Sequence, residues 1–201
     1  MRRFQSIIWG LLAALLAGLA SCSPPHSGEE QLRISYIHQE KLLCVPTSAA
    51  MILAYYGDQQ SPRKLKTLAK RAAYDPREPF SDFSITKYQD ILVAVGKLGY
   101  DWAERSLSDD KAGFDTGIKL IRSELALRHP VMIDLSIPYG HTVVVSGLND
   151  DQRTITVIDP EQAAPGKIVL SFDQLRGYWS EKAYGGAFRS LIVTRPKRLK
   201  D

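Results

Sequence analysis

Cys44 stands in Gln39-Glu-Lys-Leu-Leu-Cys44-Val-Pro-Thr-Ser-Ala-Ala-Met51, just ahead of a helical pattern. His141 opens an apolar strand pattern in Gly140-His141-Thr-Val-Val-Val145. Asp159 closes the next one in Ile155-Thr-Val-Ile-Asp159-Pro160. A thiol, an imidazole and a carboxylate in this order can serve as a nucleophile, its general base and the group that orients the base. A cysteine attacks as the thiolate, a form favoured beside a helix N-terminus and beside a His that can hold the proton. The free N–H groups of a first helical turn also suit an oxyanion. Gln39, upstream of Cys44, offers a second neutral donor from its side-chain amide.

Geometry ties the His to the Asp. Leu148-Asn-Asp-Asp-Gln-Arg153 reads as the turn of a hairpin. Folded about its midpoint, the hairpin sets His141 opposite Asp159 or Pro160. Cross-strand Cβ atoms lie roughly 5 Å apart, within reach of a hydrogen bond between such side chains. A slip of one residue would turn one of the two to the other face. Two other third members stay open: Asn149, in the turn, and Asp134, on a neighbouring strand. Taken singly, Gln39, His141 and Asp159 each have a structural explanation, as a surface Gln, a core or strand-capping His, and a turn Asp before Pro. Their combination is what points to chemistry.

The remaining signals are weaker. His26 falls in a polar tether, His38 beside Gln39, and His129 at a helix end. No close pair of ligands suggests zinc, and Gly185-Gly186 lacks the Lys and following helix of a phosphate loop. No metal and no cofactor are expected. Tyr139, Trp179 and Tyr184 could line a cleft or pack in the core.

Periodicity places these residues on elements. Helical patterns cover about 44–56, 61–73, 86–98 and 116–128. Pro46 fits the first turn of the first helix, and Gly57 its end. Residues 75–82 read as a loop. Strand patterns cover 131–137, 142–148, 154–158, 168–172 and 190–194, with a short entry strand over 32–37 and a helical turn within 172–179. Helices first and a mostly antiparallel sheet second make an α+β domain.

The N-terminus reads as a separate unit. Arg2 and Arg3 precede an uncharged apolar run over 7–20, which ends at Leu19-Ala20-Ser21-Cys22. That is the plan of a secretory signal peptide over 1–21. The last four residues resemble the lipobox of bacterial lipoproteins, which implies cleavage before Cys22 and acylation of its thiol. Ser23 in the next position, rather than Asp, implies the outer membrane, facing the periplasm. Residues 22–31 then form a flexible tether, and 32–201 a single domain. Net charge falls from +4 to +2 when Arg2 and Arg3 leave. So mild a balance argues against a nucleic-acid partner. With two cysteines in the chain, lipid on Cys22 leaves Cys44 unpaired. A Cys22–Cys44 disulfide is the other arrangement on paper.

These residues look like the papain-like cysteine peptidases of the bacteriocin-processing family, which cut leader peptides after a double Gly. The likeness rests on Gln39, on Cys44 to Met51 with Tyr55-Tyr56-Gly57, on His129-Pro130-Val131, on Gly140 to Gly147, and on Ile158-Asp159-Pro160. It spans about 34–193 and implies a papain-like fold. It implies Cys44 as nucleophile, His141 as base, Asp159 as orienter and Gln39 as oxyanion donor, with a thioester intermediate. The family usually carries Gly after the nucleophile. Val45 in its place could narrow the cleft or alter the oxyanion site.

The expectation is therefore a lipid-anchored extracytoplasmic cysteine peptidase or amidase acting on a peptide or protein. Alternatives are a thioester-dependent acyltransferase, an inactive peptide-binding lipoprotein of the same fold, and a structural lipoprotein.

Overall fold

The computed structural model describes residues 30–69, 85–137 and 140–197. The signal-peptide segment, Cys22, nearly all of the tether, the 75–82 loop and Tyr139 lie outside them. Helix α1 spans Cys44–Tyr55, α2 Pro62–Leu68, α3 Tyr88–Lys97, α4 Lys111–Ala126 and α5 Phe172–Tyr178. Strands are β1 (Glu30–Gln31), β2 (Ala103–Ser108), β3 (Val131–Leu135), β4 (His141–Asn149), β5 (Thr154–Ile158), β6 (Lys167–Ser171) and β7 (Phe188–Val193). A 3₁₀ turn covers Glu181–Tyr184.

The sheet runs β2-β7-β3-β4-β5-β6, with β1 added beside β4. Its strand pairs are all antiparallel. Helices cover both faces. On one, α1, α2 and α3 pack on Met132, Val144, Ile158 and Ile192. On the other, α4 and α5 pack on Ile133, Val143, Val157 and Leu191. This explains why β3 and β4 are mostly apolar without a strict polar alternation: both faces of these strands are buried.

Helix α1 is apolar nearly all round, and residues 49–53 have no exposed surface. Such a helix belongs in the interior. Here it lies against β4, α2 and α3. Its Ser48 Oγ donates to the Thr142 carbonyl at 3.1 Å, tying the helix to the start of β4.

Three expectations need correction. Residues 32–37 are extended but unpaired beyond Leu32, whose N–H donates to Ser146 O at 2.6 Å. The strand there is only Glu30–Gln31. Helix α4 begins five residues early, at Lys111, because Asp110 caps it by accepting from the Gly113 N–H at 2.7 Å. Strand β2 was not expected. It is half-exposed at the sheet edge and carries little apolar alternation.

Candidate active site

Cys44 is the first residue of α1 and is partly buried. No side chain caps this helix at Leu43, and no acid sits in its first turn. Pro46 has no N–H to give, so the N–H groups of Cys44 and Val45 head a positive helix end with no intrahelical acceptor. The approach to Cys44 is tight. Leu43 N–H donates to Glu40 O at 3.0 Å, and Leu42 takes a left-handed φ of 63°. A bulky residue there stores backbone strain of order 1–3 kcal/mol, a cost met mostly at functional sites. Val45 turns its side chain into the core and is 4 % exposed.

His141 is the first residue of β4, and Asp159 follows the last residue of β5. Both are buried. His141 Nε2 lies 2.5 Å from Asp159 Oδ1. Cys44 lies near enough to His141 to raise its pKa. With Nε2 engaged by Asp159, Nδ1 is the nitrogen left for the thiol. Glu161, which the sequence reading passed over, brings Oε2 to 3.9 Å from Nδ1 while staying mostly exposed.

Electrostatics follow from these contacts. Burial would lower the His141 pKa, but the Asp159 hydrogen bond, nearby Cys44 and the charges of both raise it from 6.5 to about 10. Burial would raise the Asp159 carboxyl. The hydrogen bond from His141 and that from the Glu161 N–H outweigh burial and hold it below its usual value. The Glu161 N–H reaches Asp159 Oδ1 at 2.8 Å. The Asp159 N–H donates to Gly166 O, also at 2.8 Å.

Register explains how the two residues meet. The ladder pairs Val144 with Ile158 and Val145 with Val157. This is one to two residues away from the expected pairing. Continued one step, it sets Asp159 against Val143, which makes His141 the diagonal neighbour of Asp159. Diagonal neighbours share a face and lie within reach of long side chains. The difference has two sources. The hairpin closes at Asn149–Thr154, later than the assumed midpoint, and a bulge at Ser146 then returns one residue.

Gln39 joins from a third direction. Its N–H donates to Pro160 O at 2.8 Å. Tyr36 Oη donates to Gln162 O, and lies 2.7 Å from His38 Nδ1. The segment before α1 is thus fastened to the loop carrying Asp159. Gln39 Oε1 is buried and, among the described residues, without a hydrogen-bond partner.

The other candidates sit elsewhere. Asn149 Oδ1 accepts from the Gln152 N–H at the turn, at the far end of β4. Asp134 is bonded by the Thr142 hydroxyl and is not the partner of His141. Trp179 is fully buried and its Nε1 donates to Ser190 O at 2.8 Å, so it packs in the core rather than lining the cleft. His129 Nδ1 is 3.3 Å from Glu124 Oε2, beyond the end of α4. Among the described residues, no cluster of His, Cys, Asp and Glu is arranged to hold a metal.

Residues 31–186 match the model of the Peptidase_C39 like family. The chain belongs to this family. Family membership points to cysteine peptidase activity. No curated protein matches it in sequence. Solved structures share the fold of this Peptidase_C39-like chain. A double glycine motif protease from an AMS/PCAT transporter, crystallised with the leader peptide, has a TM-score of 0.55 and 16% identity over 83% of this chain and 94% of that one. The peptidase domain of Streptococcus ComA, a bifunctional ABC transporter, has a TM-score of 0.54 and 19% identity over 82% and 100%. UfSP from C. elegans has a TM-score of 0.54 and 12% identity over 88% of this chain and 36% of that one. The fold is papain-like α+β.

Proposed function

We propose that Cys44 is the nucleophile of a cysteine peptidase or amidase, with His141 as general base, Asp159 as orienter and Gln39 as oxyanion donor. One observation carries the reading: His141, whose pKa nearby Cys44 helps to raise, is held through Nε2 at 2.5 Å from Asp159 Oδ1.

In this mechanism His141 Nδ1 already holds the Cys44 proton, and the thiolate Sγ attacks the substrate carbonyl carbon. The carbonyl π pair moves onto oxygen. The N–H groups that open α1 and the Gln39 amide hold that oxyanion. The intermediate collapses, and the leaving amine takes the proton from His141. The acyl group remains on Sγ as a thioester. Water then gives a proton to His141 and attacks the thioester, and the thiol leaves with that proton. Asp159 accepts from Nε2–H throughout and keeps Nδ1 in the right tautomer.

A peptide substrate is part of the proposal. The leader peptide bound to the AMS/PCAT protease makes it reasonable, without carrying over a double-Gly preference. Attachment to the envelope through lipid on Cys22, facing the periplasm, is proposed from the lipobox. Palmitate incorporation that persists in Cys22→Ser would overturn that part.

The test is cleavage of a mixed peptide library by the full-length protein, with products read by mass spectrometry. Products that vanish in Cys44→Ala are expected. The same products from both proteins would remove Cys44 from the reaction. An added primary amine recovered as a new amide would turn the reading to acyl transfer.

A further inference from the structure

A small cavity of about 210 Å³ is lined among others by Asp134, Glu181, Glu104, Tyr88 and Lys87. It opens between β3, β7, the edge strand β2 and the start of α3. Asp134 pairs with Thr142 across β3 and β4, and Thr142 directly follows His141. Thr142 thus ties the cavity wall to the backbone of the general base, although successive strand side chains face opposite sides of the sheet.

Exposed Lys87 also lines it and Asp134 feels the charge of His141, but among the described residues no salt bridge reaches Asp134, Glu181 or Glu104. Asp134 and Glu181 are each 7 % exposed. Asp134 accepts from the Thr142 hydroxyl, Glu181 from the Ser190 hydroxyl, and Glu104 from Gln89 Nε2 at 3.0 Å. Among the described residues, all of these partners are neutral. Burial raises all three carboxyls, with Asp134 reaching about 7. The hydroxyl of Tyr88, a residue 5 % exposed, is buried near Asp134 and has no hydrogen-bond partner of acceptable geometry among the described residues. It lies in the cavity wall. Burying acids beside an unused hydroxyl is costly unless something completes them.

The rim suggests what does. Ile85 is 56 % exposed and Phe188 40 %. Both line the mouth. Lys and Arg side chains lay an apolar stem on such surface while their charged head reaches further. The volume far exceeds the ~10–15 Å³ one water needs, yet lies below the roughly 300–1,000 Å³ of pockets that hold whole ligands. It suits one long side chain.

We propose that this cavity is a specificity pocket for a cationic side chain, ammonium or guanidinium, of the peptide in the Cys44 cleft. The stem packs on Ile85 and Phe188. The head donates to Glu181, Asp134 and the Tyr88 hydroxyl, with Glu104 at the edge. The proposal rests on the peptidase reading of the cleft and names the substrate class for it.

The test is binding, so that it does not depend on turnover. Full-length Cys44→Ala protein is titrated into fluorescein-labelled hexapeptide pools, each with one position fixed as Lys, Arg, norleucine or Glu, and anisotropy is read. The expected result is at least tenfold tighter binding for Lys or Arg than for norleucine at one position. That preference falls to threefold or less in Glu181→Gln and in Glu104→Gln, with unchanged melting temperatures. Equal binding of norleucine pools, no binding of any pool, or a preference that both substitutions leave intact overturns the pocket. Iodoacetamide labelling of Cys44 in the wild type and in His141→Ala tests the catalytic reading without any peptide, so either can fail alone.

Discussion

Asp159 determines what His141 can do. Burial would strip the imidazole of charge, and it is the hydrogen bond to Asp159 and then nearby Cys44 that lift its pKa to about 10. Asp159→Asn keeps the shape but offers a donor where Nε2–H needs an acceptor. Its expected effect is a drop in the His141 titration midpoint toward 6.5, read by NMR, and a loss in turnover of about 10² or more. Stability should follow with a definite sign. A His whose folded pKa is raised adds stability that is fully present below about 6.5 and is lost as pH rises through about 10. Wild-type melting temperatures should fall between pH 7 and 10, and the fall should be shallower in Asp159→Asn. Gln39 separates two roles. If it holds only the oxyanion, Gln39→Ala lowers peptide turnover by roughly 10²–10³. The rate of Cys44 alkylation by iodoacetamide, which forms no oxyanion, should stay the same. A parallel loss in both would mean that Gln39 positions the thiol instead.

At the scale of elements, α1 presents Cys44 because it is wholly apolar and locked in place, with Ser48 joining it to Thr142 beside the base. Opposite it, α4 packs so closely that Gly117 has no room for a side chain. A Cβ there would come within 2.4 Å of Trp179 Cη2 and 2.9 Å of Leu107 Cδ1. Ala is the better helix former by about 1 kcal/mol, but overpacking costs typically 1–3 kcal/mol. Trp179 is fully buried and has nowhere to go. Gly117→Ala should therefore destabilise the protein in denaturant titration, whereas helix propensity alone would predict the reverse. These elements were unequally legible. Strand β5 was read to the residue, because Thr154–Ile158 is a short β-branched run bounded by Arg153 and by Asp159-Pro160. Strand β2, Ala-Glu-Arg-Ser-Leu-Ser, carries no such run and exists because β7 pairs with it. The bulge at Ser146 has no sequence mark of its own. His141 and Asp159 were still readable as partners, because a two-residue shift keeps side chains on one face.

Across the whole molecule, helices on both faces bury the middle strands, and one consequence is a carboxylate where a core residue would stand. Asp134 shares β3 with Met132 and Ile133 and is held near a pKa of 7 chiefly by burial, then by Glu181. An unfolded Asp ionises near 3.8, so the native state binds the extra proton between about 4 and 7. The stability this gives is fully present below pH 4 and is lost as pH rises to about 7. Asp134→Asn should flatten that decline while keeping an acceptor for the Thr142 hydroxyl. Melting curves from pH 4 to 8 check this, and an equally steep decline in the variant would relocate the proton. That an acid lies in a strand of apolar residues was plain in the sequence. That Glu181, Glu104 and Tyr88 surround it was not, because they come from a 3₁₀ turn, an edge strand and a helix start distant in the chain.

The central claim is that Cys44 is activated by His141. The measurement that tests it most directly is the rate of iodoacetamide alkylation at pH 7, read on the Cys44 peptide by mass spectrometry, for full-length wild type and His141→Ala. The account predicts a loss of about 10² or more in the variant, in the range set by a positioned general base. Equal rates in the two proteins would contradict it.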